Sequence, residues 1–198
     1  MVIGVTGKYG AGKDAVTRIL VGKGFTEINL DAIGHRVLEE KKKEAAAAFG
    51  DCILDEHGSV SRRRLGQIVF RDRAARSQLE ALLHPRMKEI VRERLESGWG
   101  HMVINAALLF SMGLAELADA VICVTAPFPV RFFRARARDK LGFFRLLDRF
   151  RSQGEIIPQT TPHTVDIYYV TNARSIGRLE CATDRLLQAI MRKPKKEE

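Results

Sequence analysis

The chain has 198 residues, 45% of them hydrophobic and 29% charged, which is typical of a globular domain and argues against disorder or fibrous repeats. No segment approaches the roughly 18 consecutive apolar residues that a membrane span needs, and the apolar run at residues 2–6 is too short for a secretion signal. Three widely spaced cysteines make neither a disulfide framework nor a zinc ligand set. We therefore expect a cytoplasmic protein without membrane contact.

The charge balance points to a polyanionic partner. Lys and Arg number 33 against 24 Asp and Glu, so the formal net charge is +9. A basic surplus of this kind accompanies binding either of nucleic acid or of small phosphorylated ligands. Composition alone does not choose between them.

Short apolar segments alternate with helical patterns along the chain. The segments predicted as strands are residues 2–6, 25–30, 101–106, 120–125 and 166–171. Helices are predicted from Lys13 onward, over most of 31–98, at 130–153 and at 176–191. This alternation predicts an α/β fold with a doubly wound parallel sheet. The interval of about 70 residues between the second and third strands exceeds what a crossover helix needs, so it predicts a helical insert.

A glycine-rich turn joins the first strand to the first helix. Residues 7–13, GKYGAGK, fit the pattern G-x-x-x-x-G-K in the strand–loop–helix context that the pattern requires. Glycines let successive N–H groups surround an anion, the helix N-terminus adds partial positive charge, and the lysine reaches the β- and γ-phosphates of a nucleotide. The predicted nucleotide-binding residues of this loop are Gly7, Lys8, Tyr9, Gly10, Ala11, Gly12 and Lys13.

The residue after Lys13 departs from the pattern. Asp14 stands where the pattern has a Ser or Thr that binds Mg²⁺. One interpretation is an acid that favours the dipole at the helix N-terminus. The other is a carboxylate ligand to Mg²⁺, either direct or through water. Both remain open at this point.

Several further segments match a known family in order and spacing. They are INLDAIGH at 28–35, FGDCIL at 49–54 with RLGQIVF at 64–70, LE at 79–80 with HP at 84–85, ALLF at 107–110, R-x₃-R-D at 134–139 with R-x₃-Q at 149–153, and DIYYVTN at 166–172. Together with the glycine-rich loop, they resemble the dephospho-CoA kinase family over residues 2–190. The resemblance implies ATP-dependent phosphorylation of the 3′-hydroxyl of dephospho-CoA, with Mg²⁺ as cofactor and a P-loop fold.

The resemblance also implies an internal organisation. A single P-loop kinase domain would have its nucleotide-binding core at 1–34, 99–130 and 160–192 and its helical acceptor-binding insert at 35–98. An arginine-rich lid is expected at 131–159 and a frayed tail at 193–198. The expected partners are ATP and dephospho-CoA without nucleic acid, and the expected assembly is a monomer or small homo-oligomer.

The resemblance assigns roles to individual residues. Asp31 matches the catalytic aspartate and would be the general base; the alternative is an N-cap of the following helix. Arg134, Arg138 and Arg149 would stabilise the transferring phosphoryl group, Arg138 above all; the alternative is a solvated surface position.

The remaining assignments concern the acceptor and the adenine. His35, Arg64, His84 and Leu108 would contact the acceptor, although His84 and Pro85 together also fit a simple helix break. Asn172 would lie near the adenine of ATP, or else serve only as a turn residue at a strand end. The aromatic residues Trp99, Phe132, Phe133, Phe143 and Phe144 are interpreted as packing residues.

The chain also departs from the family pattern outside the loop. Asn29 replaces the first acid of the D-x-D segment, while Ala107 and Ser111 replace the proline and glutamate of P-L-L-F-E. With Asp14, these changes are compatible with a rearranged metal site, a different acceptor or weakened activity. The alternative functions are another nucleoside or nucleotide kinase and a non-catalytic, nucleotide-dependent nucleic-acid-binding protein.

Overall fold

The computed structural model describes residues 1–139, 150 and 165–193. Within these ranges the strands are β1 (Val2–Gly7), β2 (Thr26–Asn29), β3 (Met102–Asn105), β4 (Ala120–Thr125) and β5 (Asp166–Thr171). The helices are α1 (Lys13–Val21), α2 (Leu30–Glu40), α3 (Lys42–Phe49), α4 (Arg62–Val69), α5 (Arg73–Ser97), α6 (Phe128–Asp139) and α7 (Ile176–Arg192). Each helix of the described ranges is too short or too polar to traverse a lipid bilayer.

The strands form one five-stranded sheet in the order β2-β3-β1-β4-β5. β1 is parallel to both of its neighbours, pairing Ile3 with Val103 of β3 and with Ala120 of β4. β4 is in turn parallel to β5, where Ala120 pairs with Asp166. The predicted α/β fold with a parallel sheet and flanking helices is therefore confirmed.

Strand β2 is shorter than the sequence predicts. It ends at Asn29, because the Asn29 side chain accepts a hydrogen bond from the N–H of Ala32 at 3.0 Å and starts helix α2 at Leu30. Asn is among the preferred N-cap residues, so it performs here the capping that an aspartate would also perform. The change from acid to amide at position 29 leaves this helix start intact.

Helices α1 and α7 share an apolar core with the sheet. Val16 and Leu20 of α1 and Leu187 and Ile190 of α7 pack in one cluster with strand residues that include Ile122. Each fully buried aliphatic side chain of this kind contributes roughly 1.5–3 kcal/mol of transfer free energy. The core therefore fixes the carboxyl end of β1 and the start of α1, which bracket the glycine-rich loop.

Residues Asn29–Gly98 form a compact unit of their own, separate from the rest of the described chain. In it, α5 contacts α2, α3 and α4, and Gly34 of α2 faces the side chain of Met87 of α5.

A turn in the same unit lies between Leu54 and Val60, which form an isolated antiparallel bridge. Asp55 stabilises this turn, because its carboxylate accepts hydrogen bonds from the N–H groups of His57 and Ser59.

One alternative considered for this unit and one expectation outside it are wrong. Helix α5 runs through His84 and Pro85 without ending there. Proline cannot donate the usual helical hydrogen bond, but the buried residues Leu83 and Met87 on either side anchor both turns of the helix. Tertiary packing thus overrides the local preference for a break.

The wrong expectation outside this unit concerns aromatic packing. Trp99 is 94% exposed and Phe133 is 66% exposed, whereas Phe132 is buried as expected. Phe133 follows Phe132 directly in α6, and neighbouring helix positions point in directions about 100° apart, so only one of them faces the core. For the exposure of Trp99 the structure offers no physical reason. Phe143 and Phe144 lie outside the described residues.

Candidate active site

The glycine-rich loop leaves β1 at Gly7 and enters α1 at Lys13. Gly10 and Gly12 have φ angles of 78° and 93°, in the left-handed region that favours glycine. A Cβ on Gly12 would lie 2.3 Å from Nδ2 of Asn172, and one on Gly10 would lie 2.6 Å from the carbonyl oxygen of Arg131. Both glycines are therefore needed for the turn and for the close approach of neighbouring segments.

The loop closes on itself before the helix starts. The N–H of Ala11 donates to the carbonyl of Lys8 at 2.8 Å, and the N–H of Ala15 donates to the carbonyl of Gly12 at 3.0 Å. Gly12 is the N-cap of α1 and provides no side-chain cap. The partial positive charge of a helix N-terminus thus lies at the end of the loop, as in anion-binding sites.

Lys13 is oriented by two oxygen atoms. Its Nζ lies 2.9 Å from Oδ1 of Asp14 and 2.9 Å from Oδ1 of Asn105. Asn105 is the last residue of β3 and is 1% exposed. Its Nδ2 donates to Oδ1 of Asp14 at 3.1 Å and to Oε1 of Glu27 on β2 at 2.8 Å.

Asn105 and Glu27 are site residues that the sequence analysis missed. The available signal was a polar side chain ending an otherwise apolar strand, MVIN, beside the strand that leads into the phosphate loop. Ligands of open α/β sheets bind outside the carboxyl ends of the strands, where such a residue belongs.

Asp14 is a carboxylate that remains ionised. Burial by itself would raise its pKa, but hydrogen bonds from Lys13 and Asn105 and the positive charges of Lys13 and Arg138 outweigh burial and lower the pKa below its ordinary value. The carboxylate thus contacts the side chains of Lys13 and Asn105, while Gly12 occupies the cap position of α1.

Asn172 links three segments around the loop. Its buried side chain donates from Nδ2 to the carbonyl of Ala11 at 3.0 Å. Arg134 of α6 donates from Nη1 to the Asn172 carbonyl at 2.8 Å and from Nη2 to its Oδ1 at 3.2 Å. The amide expected near adenine is therefore engaged with protein groups, and the placement of adenine stays a prediction.

Other α6 residues also contact the loop. The guanidinium carbon of Arg138 lies 5.3 Å from the centre of the Tyr9 ring, within the range of a cation–π contact. Arg131 donates to the Tyr9 carbonyl at 3.5 Å, and burial lowers its pKa. Arg149 and the rest of the expected lid, at 140–149 and 151–159, lie outside the described residues, as do 160–164 of the expected core and 194–198 of the tail.

Asp31 lies in the first turn of α2, two residues after β2 ends, and its side chain is exposed. The alternative interpretation of Asp31 as the N-cap is wrong, because Asn29 is the cap. Helix capping therefore does not explain an aspartate at position 31.

Of the remaining insert residues expected at the acceptor, His35 and Arg64 contact other protein groups, and His84 is half-buried. Nη1 of Arg62 lies 3.1 Å from the ring nitrogens of His35. Nη1 of Arg64 donates to the carbonyls of Leu54 and Cys52, and so stabilises the backbone after α3. His84 is half-buried on α5, and burial lowers its pKa even though Glu80 opposes this effect.

The segment after β3 carries Leu108 and two of the family departures. Leu108 is 44% exposed. The Ala107 carbonyl accepts from Oγ1 of Thr6 at 3.4 Å, and Oγ of Ser111 donates to the Leu108 carbonyl at 3.2 Å. Ser111 therefore closes the turn locally, a contact that a glutamate carboxylate could not make as an acceptor.

The oxygen ligands that the structure describes beside the loop are few, which suits an Mg²⁺ ion that is bound mainly by the phosphates of the substrate. No group of three or more His, Cys, Asp or Glu within the described ranges is arranged to hold a metal. Mg²⁺ commonly keeps several waters and uses one or two carboxylates together with substrate phosphates. The ionised carboxylate of Asp14 fits such a ligand set.

Comparison with known proteins identifies the family. A family model described as Dephospho-CoA kinase matches residues 1–166. The dephospho-CoA kinase of Moorella thermoacetica is 40% identical over 162 residues, 78% of this chain and 76% of that protein. That of Thermus thermophilus is 30% identical over 192 residues, 96% of this chain and 90% of that protein.

Solved structures of similar fold support the same family. A Thermus thermophilus crystal structure matches with a TM-score of 0.79 at 28% identity, covering 96% of this chain and 97% of that one. A dephospho-CoA kinase from Campylobacter jejuni matches with a TM-score of 0.68 at 25% identity, covering 96% of each chain. With its phosphate loop at the end of β1 and these matches across most of its length, the chain belongs to the dephospho-CoA kinase family.

Proposed function

We propose that the protein transfers the γ-phosphoryl group of ATP to the 3′-hydroxyl of dephospho-CoA, giving coenzyme A and ADP. The observation that carries this proposal is the family match over residues 1–166 together with a complete G-x-x-x-x-G-K loop between β1 and α1. The loop supports a nucleoside triphosphate as donor, and the relatives support dephospho-CoA as acceptor.

The loop and Lys13 bind the phosphates of ATP. The backbone N–H groups at the start of α1 and the Lys13 ammonium supply positive charge to the β- and γ-phosphates. Asp14 would hold Mg²⁺, directly or through water, and the cation would neutralise charge on the phosphates. Because an ionised carboxylate beside a triphosphate is repulsive without a cation, ATP binding should depend strongly on Mg²⁺.

Arginines of α6 stabilise the negative charge of the phosphoryl group in the transition state of its transfer. The positive charge of Arg138 acts on Asp14 beside the loop, which supports a role at the γ-phosphate. Arg134 holds the loop through Asn172, which supports a positioning role for it. Arg149 matches the family motif in spacing, and we assign it the same role of stabilising the transferred phosphoryl group.

Asp31 is the general base. It receives the proton of the 3′-hydroxyl as the 3′-oxygen forms its bond to the γ-phosphorus, and the bond between that phosphorus and the β,γ-bridging oxygen breaks to release ADP. Its exposed carboxylate, with the cap position taken by Asn29, supports this role. His35, Arg64, His84 and Leu108 are proposed to contact the acceptor.

The test measures ADP release by purified protein with Mg·ATP, with and without dephospho-CoA. We expect release to require dephospho-CoA, and Asp31→Asn to lower kcat by about 100-fold or more, the usual size of a general-base contribution. Asp51→Asn is the matched control, because it makes the same change at another exposed acid of the same unit.

Two outcomes would contradict the proposal. Full activity in Asp31→Asn would remove Asp31 from the role of base. ATP binding without acceptor-dependent turnover would exclude dephospho-CoA as the acceptor, and other hydroxyl compounds would then be assayed.

A further inference from the structure

Asn105 occupies the centre of the polar cluster beside the phosphate loop. It ends β3, its backbone pairs with Val5 of β1, and its side chain is 1% exposed. Within this buried position the amide contacts one cation and two carboxylates, those of Lys13, Asp14 and Glu27. A buried amide with three charged partners has a defined chemical task and not merely a packing one.

The three partners determine which way the amide points. Ionised Asp and Glu side chains only accept hydrogen bonds, and the Lys ammonium only donates. Nδ2 therefore has to face Glu27 at 2.8 Å and Asp14 at 3.1 Å, which leaves Oδ1 facing Lys13 at 2.9 Å. The opposite orientation would place the NH₂ group against the ammonium and the carbonyl against both carboxylates.

Glu27 is the one of these three partners that lies outside the phosphate loop and the start of α1. It sits on β2, is half-buried, and reaches the amide across the edge of the sheet. Asp14 is itself next to Lys13 and is proposed to bind Mg²⁺, so its carboxylate is drawn toward the cation. Glu27 is then the contact that keeps the amide oriented when nucleotide is present.

We propose that Glu27 and Asn105 are positioning residues for the phosphate-binding lysine: Glu27 orients the Asn105 amide, and Oδ1 of Asn105 holds the Lys13 ammonium in place. The inference rests on the proposed role of Lys13 at the β- and γ-phosphates. A neutral amide at position 105 holds the ammonium without adding a third negative charge beside the triphosphate.

The test measures the dissociation constant of ATP by titration calorimetry with Mg²⁺ in excess and no acceptor, so that Asp14 is engaged by the cation and Glu27 is left to orient the amide. We expect Glu27→Ala to weaken ATP binding by about fivefold to tenfold, because the amide loses the acceptor that orients it. Glu27→Gln retains an acceptor oxygen and should stay within about twofold of the wild type, as a rescue by the conservative variant. Glu116→Ala removes an exposed acid elsewhere in the same unit and controls for the change in net charge.

A double-mutant cycle separates positioning from a general structural effect. In a Lys13→Ala background, Glu27→Ala should cost less than about twofold in ATP affinity, because the residue that it positions is absent. Asn105→Asp, which replaces the donor with a third carboxylate, should weaken ATP binding by more than about tenfold. Thermal unfolding shows whether each variant is folded. If Asn105→Asp is not folded, the comparison of Glu27→Ala with Glu27→Gln still tests the positioning role.

Three results would overturn the inference. These are an unchanged affinity in Glu27→Ala, an equal loss in Glu27→Gln, and an undiminished effect of Glu27→Ala in the Lys13→Ala background. Because no acceptor is present, failure of dephospho-CoA as substrate would not affect the result. If Lys13→Ala alone binds ATP normally, the proposed role of Lys13 fails instead.

Discussion

Asp14 is the residue at which this chain differs most directly from the usual phosphate-loop pattern. An acid beside a triphosphate is unfavourable unless a cation lies between them, so the presence of Asp14 here is consistent with the metal-linked role proposed for it. Partial burial alone would raise its pKa, but the hydrogen bonds from Lys13 and Asn105 and the positive charges of Lys13 and Arg138 together lower the pKa below its ordinary value, which keeps the carboxylate charged. A lowered pKa in the folded state means that its contribution to stability is present above pH 3.8 and is lost only as the pH falls further.

We predict that Asp14→Asn changes the response of ATP binding to Mg²⁺. Loss of the charge should tighten ATP binding in EDTA and reduce the gain produced by Mg²⁺ by about tenfold. Asp14 stays ionised between about pH 6 and pH 8, so its own titration should add no pH dependence to the wild-type gain in this range. The measurement is ATP affinity with and without Mg²⁺ for both proteins. If Mg²⁺ increases the ATP affinity of both proteins equally, Asp14 is not a metal ligand, and only its favourable interaction with the helix dipole remains as an interpretation.

At the scale of elements, the loop is held by its neighbours as much as by its own glycines. The end of β5 and helix α6 reach it through Asn172, Arg134 and the Arg131 backbone. Asn172 makes these contacts from a buried position, so each of its partners depends on it for a hydrogen bond that water does not easily replace.

We predict that Asn172→Ala lowers the free energy of unfolding by about 2–3 kcal/mol, because the Ala11 carbonyl and Arg134 lose this buried partner. ATP affinity should fall as well, since the loop is less constrained. Chemical denaturation and calorimetry measure the two effects. Arg174→Ala, at an exposed position two residues further along the chain and outside the strand, should cost less than about 0.5 kcal/mol. Equal stability of the two variants would contradict the linking role of Asn172.

At the scale of the whole molecule, the net charge of +9 raises the question of whether the protein binds nucleic acid. In the unit Asn29–Gly98, ion pairs with nearby acids are made by Arg36, Lys41, Lys42 and Arg86. These pairs place negative charge among the basic residues, whereas nucleic-acid binding favours a continuous basic surface. The exposed Trp99 is nevertheless a surface on which a base could stack, so the two ligand classes need a direct test.

We predict that the protein binds single-stranded DNA more weakly than about 100 μM at about 150 mM salt, and only non-specifically at low salt. ATP binding with Mg²⁺ should persist at the same salt concentration. Fluorescence anisotropy of a labelled oligonucleotide across a salt series measures this, and Trp99→Ala is the variant that removes the stacking surface. Tight, steeply salt-dependent DNA binding that Trp99→Ala abolishes would favour the nucleic-acid-binding alternative.

Local patterns in the chain were enough to predict the strands, the parallel sheet and the phosphate loop. Hydrophobic periodicity and the G-x-x-x-x-G-K spacing each depend on residues only a few positions apart, and they reflect backbone preferences that act locally. The family resemblance added expectations for Asp31, the arginines and the acceptor residues, which remain proposals.

Long-range contacts, by contrast, were decided by the tertiary structure. Asn105 meets Asp14 and Glu27 across 91 and 78 positions of the chain, and Asn172 meets Ala11 across 161. No spacing rule connects residues so far apart, because their meeting depends on the order of strands in the sheet. The same holds for Pro85, where packing of α5 outweighs a local preference for a break. The chain encodes a phosphate loop locally, while the packing of β2, β3, β5 and α6 around it decides which distant side chains contact the loop and its lysine.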